Sequence, residues 1–346
     1  MKKNYTLLTF FLCSFTFAQD GSPASPYYNG FDWTLTGNSL KTKLATKITS
    51  THTNILSYSE AEKALQIVDL DPTDVTKSNV LLVYGFSSNI CPSSSSDDND
   101  HRRRNKESDG GGATCQWNRE HVYAKSLGTP NLGETGPGAD AHHLRASDVQ
   151  RNGNRGSQKF SEGLGNSGNI SGGWYPGDEW KGDVARSMMY MYLRYGSRCL
   201  PTNVGTGTTV ATDTNMINLF LKWNAEDPVS QYEDNRNTYL GSASNIYGQG
   251  NRNPFIDNPY LATVIWGGPV AQNRWPNTFL STENFNLLAN VSVYPNPTST
   301  HKINIESENE LDEIQLININ GQLMQSLKRP VSNNHTYTLE NLPNGF

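Results

Sequence analysis

Beyond residue 18 no apolar stretch approaches the roughly 20 residues that a spanning helix needs, so stable membrane insertion is not expected. HExxH is absent, which removes a zincin-type protease, and no serine sits in a GxSxG elbow. Cysteine is scarce: of 4, Cys13 lies in the N-terminal apolar run, leaving Cys91, Cys115 and Cys199. No second cysteine or histidine falls at ligand spacing around any of these three, which argues against structural zinc. A basic balance is absent too, since the formal net charge is −5.

What is present begins with Lys2 and Lys3 ahead of an apolar run from residue 5 to 18 with Thr16 and Ala18 near its end, the pattern of a signal peptide over 1–18. The mature chain is therefore expected to be secreted or at the cell surface after export through the periplasm. Disulfides persist there, and Cys91 with Cys115 is the preferred pair because it closes the polar segment between them; three free thiols are the alternative. The charge is uneven: residues 101–200 hold 14 Lys/Arg against 10 Asp/Glu, and the remainder 14 against 23. A local cationic surface can attract a polyanion within about 10 Å even on an acidic protein.

With 346 residues, two domains are the default. Residues 27–70 read as helical, with Leu40, Leu44, Ile48 and Leu56 as apolar positions. Residues 93–112 have almost no apolar residue and predict a loop, whose Arg102, Arg103 and Arg104 either touch phosphate or are offset by acidic neighbours. ARSMMYMYLRY (185–195) predicts a helix with Met188, Tyr192 and Tyr195 facing the core, and MINLFLKW (216–223) another before Asp227-Pro228. From about 267 short alternating runs and Asn320-Gly321 predict strands and a hairpin. The fold class is α+β: a helix-rich body and a small C-terminal β-sandwich. Expected boundaries are 19–268 for the body, 269–289 for a connection and 290–346 for the tail.

The chemistry concentrates in CQWNREHVYAKSLG (115–128), where Glu120 and His121 are adjacent on a predicted strand. Adjacent strand residues face opposite ways, so the two can serve one site only if the strand ends or bends there. Phosphodiester hydrolysis needs an activated water and neutralisation of developing charge. A histidine with an ordinary pKa near ~6.5 suits the first task, and a carboxylate holding Mg²⁺ the second. The second oxygen is sought in GADAHHLRASDVQRNGNRGSQKF (138–160), with Ser147 expected to cap a short helix that carries Asn152; Asn154 is its rival. Strand, strand, helix is the layout of a ββα-metal site. Arg119, Arg155 and Arg186 are candidates for phosphate contact, with salt bridges to Asp140, Asp148 or Asp183 as the competing role. His142, His143 and Arg145 fall on or beside the second strand, as structural residues or as aids to His121 and phosphate. GNRNPFIDNP (250–259) is expected to be a buried loop beside the site.

WNREHVYAKSLG, ADAHHLRASDVQRNGNRG, KGDVARSMMYMYLRY and QGNRNPFIDNP, in that order over residues 27–267, resemble the bacterial endonuclease I family. The resemblance implies a periplasmic or secreted endonuclease that cuts DNA, often RNA too, with little sequence preference, leaving 5′-phosphate and 3′-hydroxyl. It implies Glu120 and Asn152 as ligands of one Mg²⁺ (Ca²⁺ or Mn²⁺ as substitutes) and His121 as base, and favours Asn152 over Asn154 by its spacing to the following arginine; residue type and position, apart from the resemblance, make Arg119 and Arg155 candidates at the reaction and Arg145, Arg186 and His143 candidates at the substrate. The tail, with VSVYPNP and the Asn-Gly turn, resembles the C-terminal sorting domain of type IX secretion, which implies that machinery as a partner. A monomer is expected, and so is nucleic-acid binding that weakens steeply with salt. The competing class is a non-catalytic binding or adhesion protein.

Overall fold

The computed structural model of the chain describes residues 21–85, 102–113, 115–279, 291–307, 310–318 and 322–342. The expected signal peptide, Cys91 with its expected link to Cys115, and the Asn320-Gly321 turn lie outside them. The chain divides into two units, Met1–Phe279 and Leu280–Phe346.

The first unit opens with α1 (Gly37–Thr51) and α2 (Tyr58–Val68). The single helical stretch expected over 27–70 is interrupted after α1, where the Thr53 and Asn54 amides donate to the Gln249 carbonyl at 3.0 and 3.2 Å. Ser57 then starts a new helix through a reciprocal capping box with Glu60. On α1 the fully buried Leu40, Leu44 and Ile48 recur every four residues and form the core-facing stripe.

Two short antiparallel ribbons follow. β1 (Asn79–Leu81) pairs with β2 (Arg103–Asn105), and β3 (Trp117–His121) pairs with β4 (Leu144–Asp148), placing Glu120 opposite Arg145. Helix α3 (Val149–Arg155) leaves β4 directly. Its cap is Asp148, whose Oδ1 accepts from the Gln150 and Arg151 amides at 3.0 and 2.9 Å. Ser147, the expected cap, is one residue too early and fully buried in the ribbon.

β5 (Gly168–Ile170) and β6 (Gly173–Tyr175) form a hairpin, followed by α4 (Lys181–Tyr195) and the one-turn α5 (Pro201–Val204). β7 (Thr209–Val210) and β8 (Asp213–Ile217) precede α6 (Asn218–Glu226), α7 (Gln231–Leu240), α8 (Pro254–Asp257) and α9 (Tyr260–Trp266). Every residue of α4 from Gly182 to Leu193 is buried. The helix is thus enclosed on all sides, not merely along the predicted Met188–Tyr192 stripe. The 250–259 segment is buried as expected, with Asn251, Asn253, Asp257 and Asn258 at zero exposure. The body also continues past the expected boundary: Trp275 is fully buried and Arg274 grips Asp234 with two bonds of 2.8 Å.

In the second unit β9 (Ser292–Tyr294) and β13 (Thr336–Leu339) flank β10 (Ile303–Glu306), while β11 (Glu313–Ile317) pairs with β12 (Leu323–Lys328). Ile314 from one sheet meets Tyr337 and Leu339 from the other in a small core. The expected hairpin is seen in its flanks, where the Asn318 amide donates to the Gln322 carbonyl at 3.0 Å.

Candidate active site

On β3 the side chains of Asn118 and Glu120 share a face, because strand residues alternate. Helix α3 lies against that face and answers each with a partner. Asn152 donates from Nδ2 to Asn118 Oδ1 at 2.8 Å and to the Arg119 carbonyl at 3.3 Å. Arg155 Nη1 lies 3.1 Å from Glu120 Oε1, and its guanidinium also donates to the carbonyls of His121 and Val122 at 3.1 and 2.9 Å. Tyr84 donates to the same Oε1 at 2.6 Å. Tyr84 has a left-handed backbone, φ 72°, unusual for a bulky residue, which aims its ring inward beneath the strand. Burial pushes the Glu120 carboxyl above its ordinary pKa, and Arg155 and Tyr84 pull against that rise.

His121 ends β3, so the chain turns there and both it and Glu120 line one cleft. Its Nε2 lies 3.0 Å from the Gly138 carbonyl. A carbonyl can only accept, so Nε2 carries the hydrogen and Nδ1 is left as the proton acceptor. The ring stacks on Tyr58 at 5.7 Å and has His143 at 5.6 Å behind it. Burial above all, with His143, Lys125 and Arg119 adding to it, pushes its pKa down to about 3. The imidazole is neutral at neutral pH, as a base must be, though a weaker base than a histidine of ordinary pKa.

The cleft, about 280 Å³, is lined by Glu120, His121, Asn152 and Arg155 with Arg119 and Lys125 at its edge. Through Arg119 it adjoins a second cleft of about 450 Å³ lined by Tyr58, Glu62, Asp109 and Asn118. A larger hollow of about 650 Å³ between α1 and α4 contains neither carboxylate nor histidine.

Glu120, His121, Asn152, Arg119 and Arg155 are thus brought together. Asn154 is exposed and outside the cleft lining. Arg119 lies over the Tyr58 ring at 3.7 Å and faces Glu62 at 3.5 Å while keeping an edge in the cleft. Arg155, at 1 % exposure, holds Glu120 and the strand end and is not free to clasp phosphate. Three residues expected at the substrate do not line the cleft. Arg145 is buried and donates to the His142 and Leu144 carbonyls at 2.9 and 3.1 Å. Arg186 is buried against Glu233, with bonds of 2.5 and 2.8 Å. His143 has no exposure, its Nε2 bonds the Pro137 carbonyl at 2.7 Å and its ring lies behind His121. The three arginines of the polar segment are also engaged: Arg102 with Glu179, Arg103 with Asp71, and Arg104 with Asp148, the cap of α3. Sequence reasoning missed Tyr84, Asn118 and Lys125. The last two stand inside the quoted WNREHVYAK motif, whereas nothing local marks Tyr84.

No group of three His, Cys, Asp or Glu among the described residues is arranged to hold a metal. The cleft offers another donor set. The two side-chain donors to the Glu120 carboxyl, Tyr84 and Arg155, converge on Oε1 and leave Oε2 without a side-chain donor, and both hydrogens of the Asn152 amide point at Asn118 and Arg119, leaving Oδ1. One carboxylate and one amide oxygen suit a hard cation that keeps most of its waters.

Residues 36–260 match the family model described as Endonuclease I, and residues 292–346 match that of a secretion system C-terminal sorting domain. A protein named extracellular ribonuclease from Bacillus subtilis (strain 168) is 40 % identical over 261 residues, 71 % of this chain and 82 % of its own. An extracellular ribonuclease from Bacillus amyloliquefaciens is 40 % identical over 241 residues, 66 % of this chain and 74 % of its own.

Proposed function

The chain belongs to the endonuclease I family, and from that premise we propose that its cleft hydrolyses phosphodiester bonds of DNA and RNA with one divalent cation. The observation that carries the reading is the meeting, in one cleft, of a neutral histidine of defined tautomer with one carboxylate and one amide oxygen. His121 Nδ1 takes a proton from the water that attacks phosphorus. The bond from phosphorus to the 3′ oxygen breaks, and that oxygen takes a proton from solvent water, giving a 5′-phosphate and a 3′-hydroxyl. Because the attacking group is water and not a ribose 2′-hydroxyl, the chemistry is indifferent to the sugar, which reconciles a family of endonucleases with relatives named ribonucleases.

Glu120 and Asn152 would hold the cation, which supplies positive charge against the phosphoryl and departing oxygens. Mg²⁺ fits first, with Ca²⁺ or Mn²⁺ as substitutes on the same oxygens. Arg119 and Lys125 stand at the rim, where they can meet flanking phosphates. Tyr84 and Arg155 fix the carboxylate, and Gly138 fixes the base. The sorting domain makes the protein one that is secreted or held at the cell surface, and its partner there is the type IX machinery. No helix among the described residues is long and apolar enough to cross a membrane. We take the protein to act as a monomer.

The test is hydrolysis of plasmid DNA and of RNA by the mature chain in Mg²⁺ or EDTA, beside His121→Ala. The expected result is cleavage only with the cation and a loss of roughly 10²–10⁴-fold in the variant. A folded wild type that stays inactive with several divalent cations overturns the reading in favour of a binding or adhesion protein.

A further inference from the structure

We propose that Asn118 is a positioning residue for cation binding: it holds the Asn152 amide in the one orientation that turns Oδ1 into the cleft. The inference rests on the reading above that a divalent cation sits at Glu120 and Asn152.

An asparagine amide has two nearly isosteric orientations, and its neighbours decide between them. Here the Nδ2 side faces two acceptors, Asn118 Oδ1 at 2.8 Å and the Arg119 carbonyl at 3.3 Å. The flipped amide would set its own oxygen against the Arg119 carbonyl and, with Asn118 oriented as it is, against Asn118 Oδ1, with no proton between them. Of the two bonds the one to Asn118 is shorter. The bond to the Arg119 carbonyl is near the long end of the range and cannot adjust, because that carbonyl belongs to the β3 backbone. Without Asn118 this long bond alone would orient a half-buried side chain on a seven-residue helix, next to Gly153.

The arrangement also explains the register of strand and helix. Residues 118 and 120 are two apart on β3, and residues 152 and 155 three apart on α3, so the pairs Asn118–Asn152 and Glu120–Arg155 form two successive rungs. The charged rung fixes one cation-facing oxygen and the neutral rung the other. Asn118 reaches no substrate atom in this scheme, since it lines the neighbouring cleft and acts through Asn152. Outer partners of metal-binding groups typically contribute 10–100-fold in affinity.

Mn²⁺ is the probe, measured by loss of the electron paramagnetic resonance signal of the free ion as the mature protein is added, with no turnover. Asn118→Ala is expected to weaken Mn²⁺ binding about tenfold or more. Asn118→Asp keeps an acceptor for Nδ2 and is expected to bind Mn²⁺ at least as tightly as wild type. In cleavage assays the half-saturating Mn²⁺ concentration should shift in parallel for Asn118→Ala, with the KM for nucleic acid at saturating Mn²⁺ unmoved. Wild-type affinity in Asn118→Ala overturns the proposal, as does weakened binding in Asn118→Asp, which holds even if the alanine variant fails to fold. A wild type that binds no Mn²⁺ and cleaves in EDTA instead overturns the cation reading itself.

Discussion

Replacing Arg155 by methionine isolates the charged rung of the site. The substitution keeps an unbranched chain that can lie near the Phe160 ring, which the guanidinium now covers at 4.8 Å. It leaves Glu120, at 2 % exposure, with Tyr84 as its remaining side-chain donor, and it strips the His121 and Val122 carbonyls of their bonds to the guanidinium. Breaking a buried ion pair from one side costs about 3–5 kcal/mol. Glu120 can relieve part of that loss by taking a proton, which offsets the cost of the two lost carbonyl bonds. About 4 kcal/mol is therefore expected, or roughly 10 °C in Tm for a body of this size.

The pH dependence carries a definite sign. Burial already raises the folded pKa of Glu120 above its ordinary value, and loss of Arg155 raises it further. A carboxyl whose folded pKa exceeds its unfolded pKa binds more protons when folded, so stability falls as pH rises. The deficit of Arg155→Met should be largest near pH 8 and shrink as pH falls toward the unfolded carboxyl value of roughly 4.3. Thermal unfolding of the mature protein in EDTA at pH 5 and pH 8 measures both quantities. A Tm drop below about 3 °C at pH 8 would refute the argument, as would an equal drop at both pH values.

Two further outcomes can be read directly. A Cβ at Gly138 would lie 2.0 Å from the Gly133 carbonyl oxygen, so Gly138→Ala must move the backbone whose carbonyl orients His121. Its kcat is expected to fall by more than about tenfold with KM for nucleic acid kept, and a wild-type kcat would show that this carbonyl does not set the base. Burial pushes the Cys199 thiol up to about 12, so iodoacetamide at pH 8 should leave it unmodified in the native protein and alkylate it in urea. Native alkylation within minutes, read by peptide mass, would contradict that environment.

The main elements were legible because their signals are local. Strand β3 with Glu120 and His121 at its end, a short helix bearing Asn152 and the alternating strands of the tail all follow from periodicity, capping and turn chemistry over a few residues. The errors come from burial, which depends on partners far along the chain. Arg186 and Arg145 carry the residue type that grips phosphate, yet Glu233 lies 47 residues from Arg186, and Arg145 spends its donors on carbonyls of its own strand entry. Ser147 and Asp148 are both good caps, and only the register with β3, which turns Ser147 inward, decides for Asp148. Tyr84 reaches Glu120 from 36 residues away through a left-handed backbone that its residue type gave no reason to expect.

The same burial revises how the protein should meet a polyanion. The basic excess of residues 101–200 suggested a cationic surface, but Arg104, Arg145, Arg155 and Arg186 are each no more than 3 % exposed. Two cations, Arg119 and Lys125, stand at the rim of the cleft, and the Glu134 carboxylate that faces Lys125 at 3.4 Å is itself exposed and exchangeable for phosphate. If these two carry the phosphate contacts, the slope of log K against log salt is about −1.8 on duplex and about −1.4 on single strands. A fourfold rise in salt then weakens duplex binding only about 12-fold, far from the steep dependence that the charge count suggested. Filter binding of the His121→Ala variant in EDTA, at 50 and 200 mM salt, keeps catalysis and cations out of the measurement. A slope near −6 would place several exposed lysines outside the cleft on the nucleic acid. A slope near −2 would mean that affinity comes chiefly from the cleft, so that Lys125→Ala should remove about half of the salt dependence.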